Sequence, residues 1–295
     1  MKAILLLNPD AGSAEDERVL VQTFAEIGWK VQRTLHKSVL DHGLRLQASE
    51  EVVIVAGGDG TVTQVAKQLA GTSIPLAVVP TGTANNVARS LGVGVDAEAA
   101  ILALARAVEL QVDLGVSHQG RSEERFLEGF GVGLFAYVMG ELATSDHKEL
   151  PRARELIARA VREYSPGAFR IVVDGEDLSG EYLLAAVMNM CSVGPALRIA
   201  PEARTNDGLL DVVLLRPEAR ELFLEHLSHA DHEEEITLPP HHARRAQHVR
   251  VCSERTWSNL DDSPRPLVGD IDIEVDPAAV LFLVPPAEHG ERLTA

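Results

Sequence analysis

Along the first part of the chain, short apolar runs alternate with stretches whose apolar residues recur at helical spacing. Ala3–Leu7 reads as a strand, Glu15–Ile27 as a helix, Trp29–His36 as a second strand, and His42–Ala48 lies in a second helix. Val52–Ala56 is an unbroken apolar run, mostly β-branched, the composition of a strand covered on both faces. Thr61 is placed to cap the helix that follows, whose apolar positions are Val62, Val65, Ala66 and Leu69. "IPLAVVP" (74–80) supplies a fourth strand, "VARSLG" (87–92) a helix, and Asp96–Val108 another. Strands alternating with helices imply a parallel sheet covered on both faces, with ligands bound beyond the carboxyl ends of the strands.

After about Leu114 the period changes from helical to alternating. "FRIVVDGEDLSGEYLLAAVMNM", "LLDVVLLRP", "HVRVCSE", "IDIEV" and "AVLFLVP" read as short strands separated by turn residues, interrupted by helices at Glu149–Tyr164 and Glu218–His229. The expected fold class is α/β plus all-β: a parallel α/β domain over residues 1–113, then an antiparallel β-sandwich domain over 114–295. There is no internal repeat and no low-complexity tract.

The 295 residues suffice for two domains with a core each. A net charge of −17 speaks against a nucleic-acid partner, which needs a basic footprint. It also speaks against strong adsorption to anionic membranes. Cys191 and Cys252 have no metal-type spacing and imply no disulfide framework, so a reducing compartment fits. No run has transmembrane length, and Ile4–Leu7 is too short for a signal-peptide core. The expected location is the cytoplasm.

The candidate chemistry sits in two loops. "GGDGT" puts Gly57, Gly58 and Gly60 between a strand and a helix start, where backbone N–H groups favour an anion. Asp59 stands in the middle of this cradle, a carboxylate where phosphate should bind. The loop lacks the P-loop lysine and the dinucleotide-fingerprint spacing. "PTGTANNVAR" repeats the arrangement with Gly82, Thr83, Asn85 and Asn86, and the two loops together form one polar crevice.

"GGDGT" followed by "PTGTANNVARSLG" resembles the diacylglycerol kinase catalytic family, which includes bacterial soluble lipid kinases and sphingosine kinases. The resemblance continues in "NPDAG" at the start, "IAPEARTNDGLLDVV" (199–213), "NLDDSP" (259–264) and the closing "VPP". NAD kinases share GGDGT, but their further asparagine-rich signature is not found here. The resemblance implies an ATP-binding first domain and a lipid hydroxyl as acceptor in the cleft between the domains. It implies nucleotide contacts from Asn8, Thr34, the loop Ala56–Val62 (Ala56, Gly57, Gly58, Asp59, Gly60, Thr61, Val62) and Gly82, Thr83, Asn85 and Asn86. Asp59 would then serve Mg²⁺ rather than phosphate, because phosphoryl transfer needs cations on the β- and γ-phosphates. In "RTNDGLLD" it implies a second Mg²⁺, held by the Asp207 side chain and the carbonyls of Arg204 and Leu209. The residues also satisfy a simple Asn-Asp-Gly turn.

Three positions depart from the pattern. The second loop has Asn85-Asn86 where relatives have Asn-Asp; the "DGE" carrying the acids that activate the acceptor is Asp261-Asp262-Ser263; and Phe135 replaces an acid in "GVGLFA". Asp261 and Asp262 are the candidate catalytic acids, with Asp59 as the acid at the phosphates. Three changes also raise the alternative of a catalytically weakened nucleotide- or lipid-binding protein on the same fold. His226, His229 and His232 with Glu233–Glu235 read as a solvated helix end rather than a metal site. The stripe Ala153, Leu156, Ile157, Ala160, Val161 and Tyr164, opposite Arg152, Arg159 and Arg162, reads as a helix packed on the second domain. The sharper reading makes it an element in transient contact with a membrane surface. A homodimer is compatible with the sequence.

Overall fold

A computed structural model describes residues 1–11, 16–144, 150–194, 197–229 and 236–286. The chain divides into two compact units, one of Met1–Asp113 with the stretch from Ala278 onward, the other of Leu114–Pro277.

In the first unit, β1 (Lys2–Leu7), α1 (Glu17–Glu26), β2 (Lys30–His36), β3 (Val52–Gly57), α2 (Asp59–Leu69), β4 (Leu76–Pro80), α3 (Asn86–Ser90) and α4 (Ala97–Ala103) alternate as expected. β1 pairs with β2 and β3, and β3 with β4, all parallel. Every residue of β3 and β4 is buried, which is why both read as unbroken apolar runs. Asp16 caps α1 through the Arg18 N–H at 2.8 Å, and Asp96 caps α4 through the Ala99 N–H at 2.7 Å. The helix expected to reach Val108 stops at Ala103 and passes into a short 3-10 turn, after which β5 (Val108–Gln119) begins.

The helix expected at His42–Ala48 is absent; a 3-10 turn covers Lys37–His42 instead, and irregular backbone follows. Side chains take over the backbone groups there. Arg33 on β2 donates to the Arg45 carbonyl at 2.6 Å, Gln68 accepts the Leu44 N–H at 2.6 Å, and Glu50 accepts the Gln47 N–H at 2.5 Å. Arg33 Nε also lies 2.6 Å from Glu50 Oε1, whose side chain is 1% exposed. Burial pushes the Glu50 carboxyl up, but the Arg33 and Gln47 hydrogen bonds outweigh it and hold it below the usual carboxylate range. A carboxyl lowered in the folded state stabilises above its unfolded value of about 4.3 and stops doing so as pH falls through its folded value. Thermal unfolding followed from neutral pH downward should therefore show an acid loss of stability that is flatter in Glu50→Gln, which starts from a lower melting point. An unchanged acid limb would remove Glu50 from this role.

In the second unit, β6 (Ser122–Phe126), β7 (Gly129–Gly133), α5 (Leu134–Thr144), α6 (Leu150–Glu163), β8 (Gly167–Val173), β9 (Leu184–Met188), β10 (Leu210–Leu215), α7 (Arg220–His229), β11 (His242–Ala246), β12 (His248–Leu260) and β13 (Ser263–Val284) follow. Antiparallel pairing runs β11–β10–β9–β7–β12, with β13 and β8 also on β12. β9 shows how the pleat divides the core. Leu184, Ala186 and Met188 pack under the helices with Ile157, Ala160 and Phe223, while Ala185 and Val187 face Phe130, Val212 and Val251. The expected α/β plus β-sandwich architecture is thus present, but α5 went unread because its start lies in the glycine-rich "GFGVGLF". Phe135 explains that departure: it is 1% exposed within the core, and a Cβ at Gly131 would stand 1.9 Å from its ring.

β13 begins in the second unit and ends in the first. Residues 278–284, expected in the second domain, instead add a parallel strand beside β4, with Phe282 opposite Leu76. Asp113 Oδ1 accepts the Ala278 N–H at 2.7 Å at this entry, where Ala278 has φ 52°. Burial of Val280–Val284 against the parallel sheet is the reason.

The apolar stripe of α6 is covered. Ile157, Ala160 and Val161 are at most 1% exposed, and Leu156 and Tyr164 pack against the same cluster, so this face is core rather than membrane-facing. Arg220 donates to the carbonyls of Val161, Arg162 and Tyr164, closing the helix end. Glu149, the side chains of Arg152, Ala153 and His229, and residues 231–235 lie outside the described residues. His226 Nδ1 is 3.2 Å from the Thr237 carbonyl. No helix among the described residues is long and apolar enough to cross a membrane.

Candidate functional site

Three loops leave the carboxyl ends of β1, β3 and β4 in the first unit and are tied together there. The Asn8 N–H donates to the Ala56 carbonyl at 3.0 Å and its Nδ2 to Thr61 Oγ1 at 2.9 Å. The Thr81 N–H donates to the Gly57 carbonyl at 3.2 Å. Gly58, not Thr61, is the N-cap of α2, without a side-chain cap bond; Thr61 lies inside the first turn, its N–H on the Gly58 carbonyl at 3.0 Å. The start of α2 lies at the carboxyl end of β3, and the N-terminal end of a helix favours an anion.

Gly58 and Gly82 lie against each other, backbone to backbone. A Cβ on Gly82 would stand 2.4 Å from Gly58 Cα, and one on Gly58 would stand 3.1 Å from Gly82 Cα. The Asn85 side chain closes the second loop on itself, accepting the Gly82 N–H at 2.9 Å and donating to the Gly82 carbonyl at 2.8 Å, from a left-handed backbone at φ 53°. Backbone atoms cannot move aside as a flexible side chain can, so Gly82→Ala must part the two loops. Overpacking of this kind costs about 1–3 kcal/mol, which corresponds to roughly 5–150-fold in ATP affinity if the loops carry it. Titration with ATP by calorimetry measures this directly; unchanged affinity would mean that the loops do not hold nucleotide.

Asp59 links the two loops. Its Oδ1 accepts the Val87 N–H, in the first turn of α3, at 2.9 Å. The carboxylate in the cradle thus has an anion's place at a second helix start, which the sequence did not reveal. Asn86, the residue before Val87, is 1% exposed; an acid there would add a second buried carboxylate next to the amide that holds Asp59. Thr83 is exposed on the loop, and Thr34 lies one strand further out, on β2 opposite Leu5.

In the second unit, "NLDDSP" forms the turn between β12 and β13. Asp261 is 2% exposed at φ 52°, and its Oδ1 accepts the N–H groups of Leu127 (3.0 Å), Glu128 (2.8 Å) and Gly129 (3.4 Å). Asn259 Nδ2 donates to the Asp261 carbonyl at 2.9 Å and Asn189 Nδ2 to the Leu127 carbonyl at 2.8 Å; both asparagines are fully buried. Sequence reading missed Asn189, Asn259 and the buried Glu128; the signal for Asn189 was an amide between two methionines at the end of an apolar strand. Asp262, by contrast, is exposed, with the Ser263 hydroxyl on its Oδ1 at 3.1 Å.

In "RTNDGLLD", Asp207 Oδ1 accepts the Leu209 N–H at 3.1 Å, and Arg245 approaches both Asp207 and Asp211. Burial pushes the Asp211 carboxyl up to about 6; Arg245 and Arg204 oppose this, Asp207 and Glu202 add to it. Among the described residues, no group of three or more His, Cys, Asp or Glu is placed to hold a metal ion.

A parallel α/β unit with glycine loops at its strand ends, and a β-sandwich unit carrying an acidic turn, define the lipid-kinase class of fold. The comparisons place the chain within it. Residues 2–117 match the diacylglycerol kinase catalytic domain model and residues 149–284 the YegS C-terminal NAD kinase beta sandwich-like domain model. A Pseudomonas putida protein named "Probable lipid kinase YegS-like" is 30% identical over 226 residues, 72% of this chain and 74% of that one. The diacylglycerol kinase of Mycobacterium tuberculosis is 32% identical over 174 residues, 58% of this chain, so the match spans little more than half (56%) of that relative. The crystal structure of a diacylglycerol kinase from Bacillus anthracis shares the fold at TM-score 0.70 and 19% identity, over 97% of both chains. The chain belongs to the diacylglycerol kinase family.

Proposed function

We propose that this protein is an ATP-dependent lipid kinase that transfers the γ-phosphate of ATP to the hydroxyl of a diacylglycerol-like lipid or long-chain base. The observation that carries the reading is the pair of glycine loops, Gly57–Thr61 and Thr81–Asn85, held backbone to backbone at the start of α2. Amides at a helix start bind phosphate, and glycines in the loop before it allow its close approach. Asn8 fixes Thr61, and Asp59 fixes α3, so the cradle is set before nucleotide arrives.

The family implies ATP and a divalent metal. An anionic oxygen beside a phosphate cradle is the ligand chemistry Mg²⁺ prefers, directly or through water, and Asp59 fits that duty. When bound, Mg²⁺ would neutralise charge on the transferring phosphate. Asp262 is the exposed acid of the β12–β13 turn and would take the proton of the acceptor hydroxyl; Asp261, buried, would hold the turn in position. A lipid acceptor requires transient contact with a membrane surface from the cytoplasm, and a homodimer would be compatible with that.

One feature favours the weakened-binder reading instead: Ser263 stands where the resemblance places an acid, while Asp261 is buried with its Oδ1 on main-chain N–H groups. Incubation with radiolabelled ATP and extracted lipids, followed by mass spectrometry of labelled product, separates the two. A phosphorylated lipid is expected. Binding of ATP with no labelled lipid would replace the kinase reading with the binder.

A further inference from the structure

The family resemblance implies a divalent ion on the Asp207 carboxylate, but this carboxylate already faces a cation of the chain itself. Arg245 Nη2 lies 3.2 Å from Asp207 Oδ2, and Arg245 Nε lies 3.9 Å from Asp211 Oδ1. Asp207 Oδ1 takes the Leu209 N–H at 3.1 Å. The guanidinium is delivered by strand register rather than by a loop: Arg245 on β11 stands directly opposite Asp211 on β10. The two carboxylate side chains are only 15% and 10% exposed, the guanidinium 39%. Two carboxylates withdrawn from water are costly unless a cation lies between them. An arginine side chain keeps its charge at every pH a protein survives, and its fork can serve two acids at once.

We propose that Arg245 is the resident cation of this turn, standing in place of the divalent ion, so that the second unit holds its shape with no metal bound there. A divalent ion entering beside Asp207 would meet a fixed positive charge, held 3.2 Å from that carboxylate by the register of β10 and β11.

The test needs ATP-free protein and no lipid, so kinase activity does not enter. Melting temperatures are measured in excess Mg²⁺ and in EDTA, and Mn²⁺ binding is counted by electron paramagnetic resonance. An ion held well above its dissociation constant would raise the wild-type melting point by on the order of 5 °C. The expected wild-type difference is below about 1 °C, with wild type and Asp207→Asn binding the same number of Mn²⁺ ions. In EDTA, Arg245→Met is expected to melt about 5 °C below wild type, and Arg245→Lys to lose less than half as much, since it keeps a charge without the fork. A wild-type Mg²⁺ stabilisation that Asp207→Asn abolishes would overturn the assignment. So would an Arg245→Met protein as stable as wild type in EDTA. If Arg245→Met does not fold, the Mn²⁺ count decides alone: one more ion on wild type than on Asp207→Asn overturns it.

Discussion

Asp262→Asn should lower lipid phosphorylation by about 10²–10⁴-fold, the usual worth of general-base help, and leave the melting point where it was. The side chain is exposed and its one hydrogen bond given by the structure comes from Ser263, so the fold asks nothing of its charge. Its neighbour should behave in the opposite way. Asp261→Ala strips a buried acceptor from the N–H groups of Leu127, Glu128 and Gly129, and stranded buried donors cost about 1–3 kcal/mol each. A loss of about 3 kcal/mol in stability is expected, with activity falling because the turn has lost its anchor. Asp261→Asn keeps an oxygen that can accept those bonds and should recover most of the stability. Denaturant melts and turnover measured side by side distinguish the two acids. If Asp262→Asn works at the wild-type rate while Asp261→Asn is stable but inactive, the roles are reversed. Ser263→Glu restores the relatives' acid; a gain in activity would mean that Asp262 has not taken over that duty.

Asp59→Ala should cost stability and catalysis together, Asp59→Asn catalysis alone. The Val87 N–H at the start of α3 loses its acceptor in the alanine variant, worth about 1 kcal/mol for a helix cap. An asparagine oxygen can still accept that bond but carries no charge for Mg²⁺. Electrostatic partners of a transferring phosphate are commonly worth about 10²-fold or more, so Asp59→Asn is expected to fall at least that far in Mg²⁺-dependent turnover with ATP. If Asp59→Asn phosphorylates lipid at the wild-type rate, the carboxylate is a helix cap and nothing else.

The order of elements in the first unit was legible because β1, β3 and β4 are buried on both faces and α1 and α2 each carry an apolar face. Those patterns follow from local periods alone. The helix read from Asp96 does begin at its cap, because a cap acts within its own turn, whereas Asp16, read as lying inside a helix from Glu15, is the cap of α1. The helix expected at His42–Ala48 but absent shows the limit, since Arg33 on β2 and Gln68 on α2 satisfy backbone groups there from distant parts of the chain.

The sequence by itself determined the glycine positions of the two loops, the acids available to the site, and the family to which the chain belongs. Only the tertiary structure decided what each acid is used for. Asp59 reaches the amide of Val87, Asp261 the loop at 127–129, and Asp207 the guanidinium of Arg245; each partner is distant in the chain. The return of residues 278–284 to the first unit was decided the same way, by burial of an apolar strand against β4. Local period fixes which face of a strand or helix is buried. Which carboxylate remains open to a substrate depends on donors that only folding brings within hydrogen-bond distance.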